Sequence, residues 1–166
     1  GSEGIGTGWS STIKSHDPRV IISNIRKMIN REDPDEMHPY FSGWKGEVIP
    51  ETGRKERSYT LRGNIKRTSK TTLLITELPA GRWTQDYKEK ILEKMMEGAD
   101  KSNKKKKGEE KESEEKADSG EIIDFKENHT DTTVSFTVIS TKEHIDAFEK
   151  EKDGLHGKFK LLATIS

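Results

Sequence analysis

The stretch Ser58-Tyr59-Thr60-Leu61-Arg62-Gly63-Asn64-Ile65-Lys66-Arg67-Thr68-Ser69-Lys70-Thr71-Thr72-Leu73-Leu74-Ile75-Thr76-Glu77 decides the fold class. In its first half Tyr59, Leu61 and Ile65 alternate with polar neighbours, the period of a strand with one buried face. Its second half, residues 71 to 77, is a short apolar run with β-branched residues, bounded by turn formers. Upstream, residues 45 to 49 give a third extended signal. Short basic turns separate the three, so 45 to 49, 58 to 65 and 71 to 77 predict a meander.

Further out the period becomes helical. Asp17-Pro18 has the form of an N-cap followed by a first-turn proline, and Ile21, Ile22, Ile25, Met28 and Ile29 then recur at helical spacing up to a break at residues 31 to 34. Thr84 is placed to cap a second helix with an inward face of Tyr87, Ile91, Leu92, Met95 and Met96, ended by Gly98. Val134, Phe136 and Val138 alternate with hydroxyl residues as in a half-buried strand. Thr141 can cap a short helix bearing Ile145 and Phe148, and residues 158 to 165 read as one more strand. The prediction is an α+β fold: a mixed, mainly antiparallel sheet with flanking helices, without internal repeats.

At 166 residues the chain suffices for one domain with a core, while 28% apolar against 36% charged residues implies that part of it is not packed. The absence of cysteine excludes a disulfide framework and a thiolate metal site, and suits an intracellular protein. No apolar run approaches the roughly 20 residues a membrane helix needs, and no charged-then-apolar leader opens the chain. A soluble protein with no membrane partner is expected.

A net charge of zero speaks against a nucleic-acid partner only until its distribution is considered. Residues 100 to 118 hold seven lysines and seven acids with almost nothing apolar, so they cannot offset their ordering entropy and are predicted to form a disordered insertion. Within it, Lys104 to Lys107 reads either as a nuclear-import or phosphate-binding patch or as a solvated charge run. Residues 53 to 70 differ: Arg54, Lys55, Arg57, Arg62, Lys66, Arg67 and Lys70 are set against Glu56 alone, a plausible footprint for phosphates.

The opening Gly4-Ile5-Gly6-Thr7-Gly8-Trp9 is rich in glycine, but it lacks the Gly-Lys-Ser/Thr ending of a phosphate loop and the preceding strand of a dinucleotide fingerprint. Locally it reads as a tight glycine turn. The five histidines show no paired ligand spacing and no serine sits in a nucleophile elbow, so neither catalytic nor metal-ligating residues are assigned.

Longer motifs carry a resemblance. Gly1-Ser2-Glu3-Gly4-Ile5-Gly6-Thr7-Gly8-Trp9-Ser10 resembles the signature that follows the winged-helix region of eukaryotic type II DNA topoisomerases. In the family's order come Asp17-Pro18-Arg19 with Asn24-Ile25-Arg26, Met37-His38-Pro39-Tyr40 with Gly43-Trp44-Lys45-Gly46, and Ile75-Thr76-Glu77-Leu78-Pro79. Arg82-Trp83-Thr84-Gln85-Asp86-Tyr87-Lys88, His129-Thr130-Asp131-Thr132-Thr133-Val134, and Gly154-Leu155-His156 with Phe159-Lys160-Leu161 complete the series, which runs across nearly the whole chain. The bacterial gyrase and topoisomerase IV proteins resemble the opening less.

The resemblance implies a piece of a nuclear, homodimeric enzyme that uses Mg2+ and ATP to cut one duplex, pass another through and reseal the break. The implied partners are double-stranded DNA and the rest of the polypeptide. This segment corresponds to the tower, which binds and bends the gate duplex and by itself holds no cofactor. The family's nucleophilic tyrosine follows an arginine, whereas Tyr40, Tyr59 and Tyr87 follow Pro39, Ser58 and Asp86, so the segment alone is expected to be inactive. Ile5 aligns with the isoleucine that wedges between base pairs; Gly4 and Gly6 would let the backbone approach and aim it, the other reading being that Ile5 is core. Phosphate contacts are expected at Lys45, Arg54, Lys55, Arg57, Arg62, Lys66, Arg67 and Lys70, a reading from charge rather than from the motifs.

Residues 1 to 16 are thus expected to be a wedge segment leading from the winged helix, 17 to 98 and 121 to 166 the two parts of the tower, and 99 to 120 the insertion. Ile13-Lys14-Ser15-His16-Asp17-Pro18-Arg19 lacks a proline and an aromatic residue usual in the family, which puts the entry to the first helix in doubt. Trp83 suits packing beside a helix cap or contact with DNA. Two alternatives are a non-catalytic nucleic-acid or protein interaction module with the same fold, and a nucleotide-binding enzyme using the glycine-rich opening.

Overall fold

The computed structural model describes residues 1–52, 58–97 and 120–166. Arg54, Lys55 and Arg57 lie outside the described residues, as does the expected insertion apart from Gly120. Among the described residues no helix is long and apolar enough to cross a membrane.

The chain opens as a two-stranded antiparallel ribbon of β1 (Ser2–Gly6) and β2 (Trp9–Ile13), turned by Thr7 and Gly8, with Gly8 at φ 80°, where a side chain would be strained. Helix α1 (Pro18–Ile29) follows. Its entry is intact despite the missing family residues: Asp17 is extended and its carboxylate accepts the Arg19 N–H at 2.9 Å. The helix ends in a Schellman arrangement, Arg31 N–H to the Met28 carbonyl and Glu32 N–H to the Lys27 carbonyl, with Arg31 at φ 59° where glycine is usual.

The expected three-strand meander does not form. The run from 58 to 65 divides at Gly63 into β4 (Tyr59–Arg62) and β5 (Asn64–Arg67), which belong to different sheets. β4 lies between β3 (Glu47–Pro50) and β9 (Leu162–Ile165), whereas β5 edges a four-stranded sheet of order β5-β6-β8-β7, with β6 (Thr72–Glu77), β7 (Asp124–Glu127) and β8 (Phe136–Ile139). All pairings are antiparallel. Gly63 is the joint: its N–H donates to the Leu161 carbonyl at 2.9 Å, and a Cβ there would run into the Glu77 carbonyl.

The core lies on one face of the four-stranded sheet. Leu73 and Ile75 of β6 pair with Val138 and Phe136 of β8, and all four are buried. Onto them fold the helical segment of residues 84 to 96, helix α4 (Lys142–Lys150) through Ile145 and Phe148, and Phe159 and Leu161. The helical segment runs as α2 (Thr84–Tyr87), a π-helical turn at Lys88–Leu92 and α3 (Glu93–Met96). The wider turn changes the expected inward face: Leu92 follows Tyr87 into the core, Ile91 is only half-buried and Met96 is exposed. Thr84 is the first helical residue and not the cap, which is Trp83. Thr141 does cap α4, accepting from the His144 N–H at 3.2 Å. The final strand is shorter than expected, because Gly154–Lys158 forms a helical turn, α5, and Lys160 takes φ 52°.

Tyr87 ties these layers together. Its hydroxyl donates to the Phe159 carbonyl at 2.8 Å, and burial pushes the phenol well above its ordinary pKa. Tyr87→Phe would leave that carbonyl buried without its donor, so thermal or urea unfolding of the chain is expected to show a loss of about 1–2 kcal/mol.

Candidate nucleic-acid interface

In a two-stranded ribbon side chains alternate between faces, and the register sorts them. Ile5 stands opposite Ser10, on the face it shares with Glu3 and Thr12; Trp9 and Ile13 stand on the other face, among Gly4, Gly6, Ser2 and Ser11. Neither face is covered: all ten strand residues are exposed, Ile5 and Trp9 at 84% each. Ile5 is therefore not part of the core. A Cβ at Gly4 would meet nothing within 4 Å, and one at Gly6 only the Trp9 carbonyl oxygen at 3.7 Å, so the backbone beside Ile5 is open to close approach by another molecule.

The expected basic residues divide into three groups. Lys45 is exposed on a pinned loop: its N–H donates to the Glu77 carboxylate at 3.1 Å and its carbonyl accepts from the Asn64 amide at 3.0 Å. The loop is anchored by Trp44, whose indole N–H donates to the Leu78 carbonyl at 2.7 Å and whose ring meets Phe41 edge-on. Lys66 and Lys70, on β5 and the turn after it, are also exposed and make no ion pair among the described residues. Across the outward sheet face Lys66 pairs with Leu74, Leu74 with Thr137 and Thr137 with Lys126, which puts a lysine at each end of the row.

Arg62 and Arg67 are engaged internally. Arg62 sits directly across from Glu47 and its guanidinium bonds that carboxylate. Arg67 is two residues from the inward Ile65, so it emerges on the core side, where it bonds Asp146 at 2.8 Å, Glu149 at 3.0 Å and the carbonyls of Ser69 and Lys70. The Arg67 hydrogen bond holds the Asp146 carboxyl below its ordinary pKa range, and Arg67 is itself raised chiefly by Asp146. Strand alternation could have revealed this from sequence; the partners on α4, about 80 residues away, could not.

Trp83, one of whose readings was packing, is 79% exposed, next to Arg82, whose guanidinium donates to the Lys160 carbonyl at 2.9 Å. Of the tyrosines, Tyr59 and Tyr87 are buried and Tyr40 is exposed. His156 lies near Arg62, and burial with that neighbouring charge lowers its pKa. Among the described residues no group of three or more His, Asp or Glu side chains is arranged to hold a metal ion.

The family model for the A subunit of DNA gyrase/topoisomerase IV matches residues 1–166. This chain belongs to the type II DNA topoisomerase family. It is 38% identical over 167 residues to DNA topoisomerase 2 of Drosophila melanogaster and 40% identical over 166 residues to human DNA topoisomerase 2-beta, in both cases along 100% of its own length. It spans only 10% and 9% of those relatives. A Plasmodium falciparum topoisomerase II structure of the DNA-binding, cleavage and re-ligation domain superposes with a TM-score of 0.75 at 32% identity, covering 99% of this chain and 19% of that one. The topoisomerase chain thus has the fold of part of a cleavage and re-ligation core.

Proposed function

We propose that the chain is the part of an ATP-dependent type II DNA topoisomerase that binds the gate duplex and holds it bent, with Ile5 as the wedge. The observation that carries this reading is Ile5 itself, an aliphatic side chain 84% exposed between two glycines with open surroundings. Among the described residues of this chain the Ile5 side chain packs against nothing, whereas insertion into a base step would bury it and repay a few kcal/mol of unstacking through a bent, better-contacted duplex. Backbone contacts by Lys45, Lys66 and Lys70 would hold position without reading sequence.

On this reading the parent enzyme relaxes and decatenates DNA by double-strand passage, acts as a homodimer and works in the nucleus. Its Mg2+, ATP and nucleophilic tyrosine are assigned to other parts of the polypeptide. Tyr40, Tyr59 and Tyr87 lack the preceding arginine, and two of the three are buried.

The basic positions provide a test that separates binding from folding. In the full polypeptide Lys66→Glu with Lys70→Glu is expected to lower duplex affinity and to flatten the plot of log affinity against log salt by about one unit per lost phosphate contact, with the melting temperature unchanged. Arg67→Glu is expected to do the reverse, lowering the melting temperature, because it sets a new carboxylate against Asp146 and Glu149. An unchanged salt slope in the lysine variant would remove that edge from the interface.

A further inference from the structure

Among the described residues nine of the fourteen exposed large apolar side chains, from Ile5 to Ile29, fall on β1, β2 and α1. On α1 the exposure is ordered. At 3.6 residues per turn Ile21, Ile22, Ile25, Met28 and Ile29 form one stripe roughly 120° wide, the width of a core-facing surface. Yet these five are 37%, 51%, 51%, 63% and 74% exposed, and the only buried residue of the helix is the polar Asn24. The side of α1 that bears Asn24 and Lys27 faces the protein. The Asn24 amide bonds the Asp35 backbone in both directions, at 2.8 and 2.9 Å, and the Lys27 ammonium bonds the Asp35 carboxylate at 2.7 Å.

A 12-residue helix is marginal in water by itself, and an amphipathic helix gains most of its stability from burying its apolar stripe. Here a polar clip orients the helix and leaves the stripe outward. The preceding ribbon shares the condition, since a lone hairpin is also marginal and both of its faces are open. In the relatives this stretch is embedded in a polypeptide of which it makes up 10% or 9%, so ample further protein is present to cover such a face. Arg19 and Arg26 border the stripe on one side, and neither is ion-paired among the described residues.

We infer that the Ile21, Ile22, Ile25, Met28 and Ile29 face of α1 is a docking surface for another part of the same polypeptide, an apolar patch with acidic residues opposite Arg19 and Arg26. This does not depend on the wedge role of Ile5, so the two can fail separately. The chain has no cysteine, which makes single thiol probes practicable in this segment. In the full-length enzyme Ile25→Cys and Met28→Cys are prepared separately, with Ser23→Cys, exposed and outside both the stripe and the Asn24 side, as the reference. Labelling by a maleimide is followed at each position by peptide mass spectrometry.

The expected result is labelling at least tenfold slower at positions 25 and 28 than at 23, independent of protein concentration and of added duplex. Equal rates at the three positions would overturn the proposal. Protection that disappears on dilution would assign the face to a second copy, and protection that appears only with duplex would assign it to DNA; both also overturn it. Hydrogen exchange of the unmodified enzyme guards against misfolded variants: slow exchange throughout α1 is expected, and exchange at the rate of an isolated helix would refute the docking.

Discussion

Replacing Ile5 with alanine is expected to abolish most of the bend in a duplex bound by the full polypeptide while leaving its folding stability unchanged. The side chain is 84% exposed, so its loss removes almost no buried area from the protein and should alter stability by no more than about 0.5 kcal/mol. Inserted between base pairs it would be almost wholly covered. Losing that burial costs about 2 kcal/mol at the usual apolar coefficient, which is about a thirtyfold shift from bent to unbent duplex. Fluorescence transfer between the duplex ends reads the bend, and thermal unfolding reads stability. A bend that survives the substitution would dismiss the wedge. A large drop in melting temperature would instead give Ile5 a folding role against another part of the polypeptide.

The second large effect is expected at Gly63. A strand residue there would continue the alternation of Tyr59, Leu61 and Ile65, so valine looks acceptable by sequence pattern alone. In the fold a Cβ at this position collides with the Glu77 backbone, and the Gly63 N–H is already used by Leu161. Gly63→Ala is therefore expected to lower stability by about 2 kcal/mol and Gly63→Val by more, since only backbone movement can relieve the clash. For a chain of this size the alanine variant should melt roughly 6 °C lower. Gly4→Ala is the matched control. It faces open space and is expected to leave the melting temperature unchanged. Equal effects at the two glycines would mean that chain entropy and not the close approach at Gly63 sets the cost.

Gly63 also shows where sequence reasoning reached its limit. Period-two alternation is local and continues through a glycine, so it finds extended chain without saying which sheet that chain joins. The partners of β4 and β5 come from positions 162–165 and 72–77, and that choice depends on the glycine's close approach to a backbone far along the sequence. The helix after Pro79 likewise buries its expected Tyr87, Leu92 and Met95, but the π-helical turn leaves Ile91 at the margin of the core and Met96 exposed.

The sequence by itself determined the α+β class, α1 with its Asp17 cap, the Thr141 cap, the core strand around Phe136 and Val138, and the family, because each depends on local chemistry or on long collinear motifs. Only the tertiary structure decided which charges and apolar side chains are free. Arg62 and Arg67 have the same composition signal as Lys66 and Lys70, yet the arginines face carboxylates on Glu47, Asp146 and Glu149 while the lysines face outward. The apolar stripe of α1 looks like core and is exposed; Ile5 could be core and stands clear of it. Periodicity ranks the faces of an element, but whether a face is covered depends on what the rest of the chain brings against it.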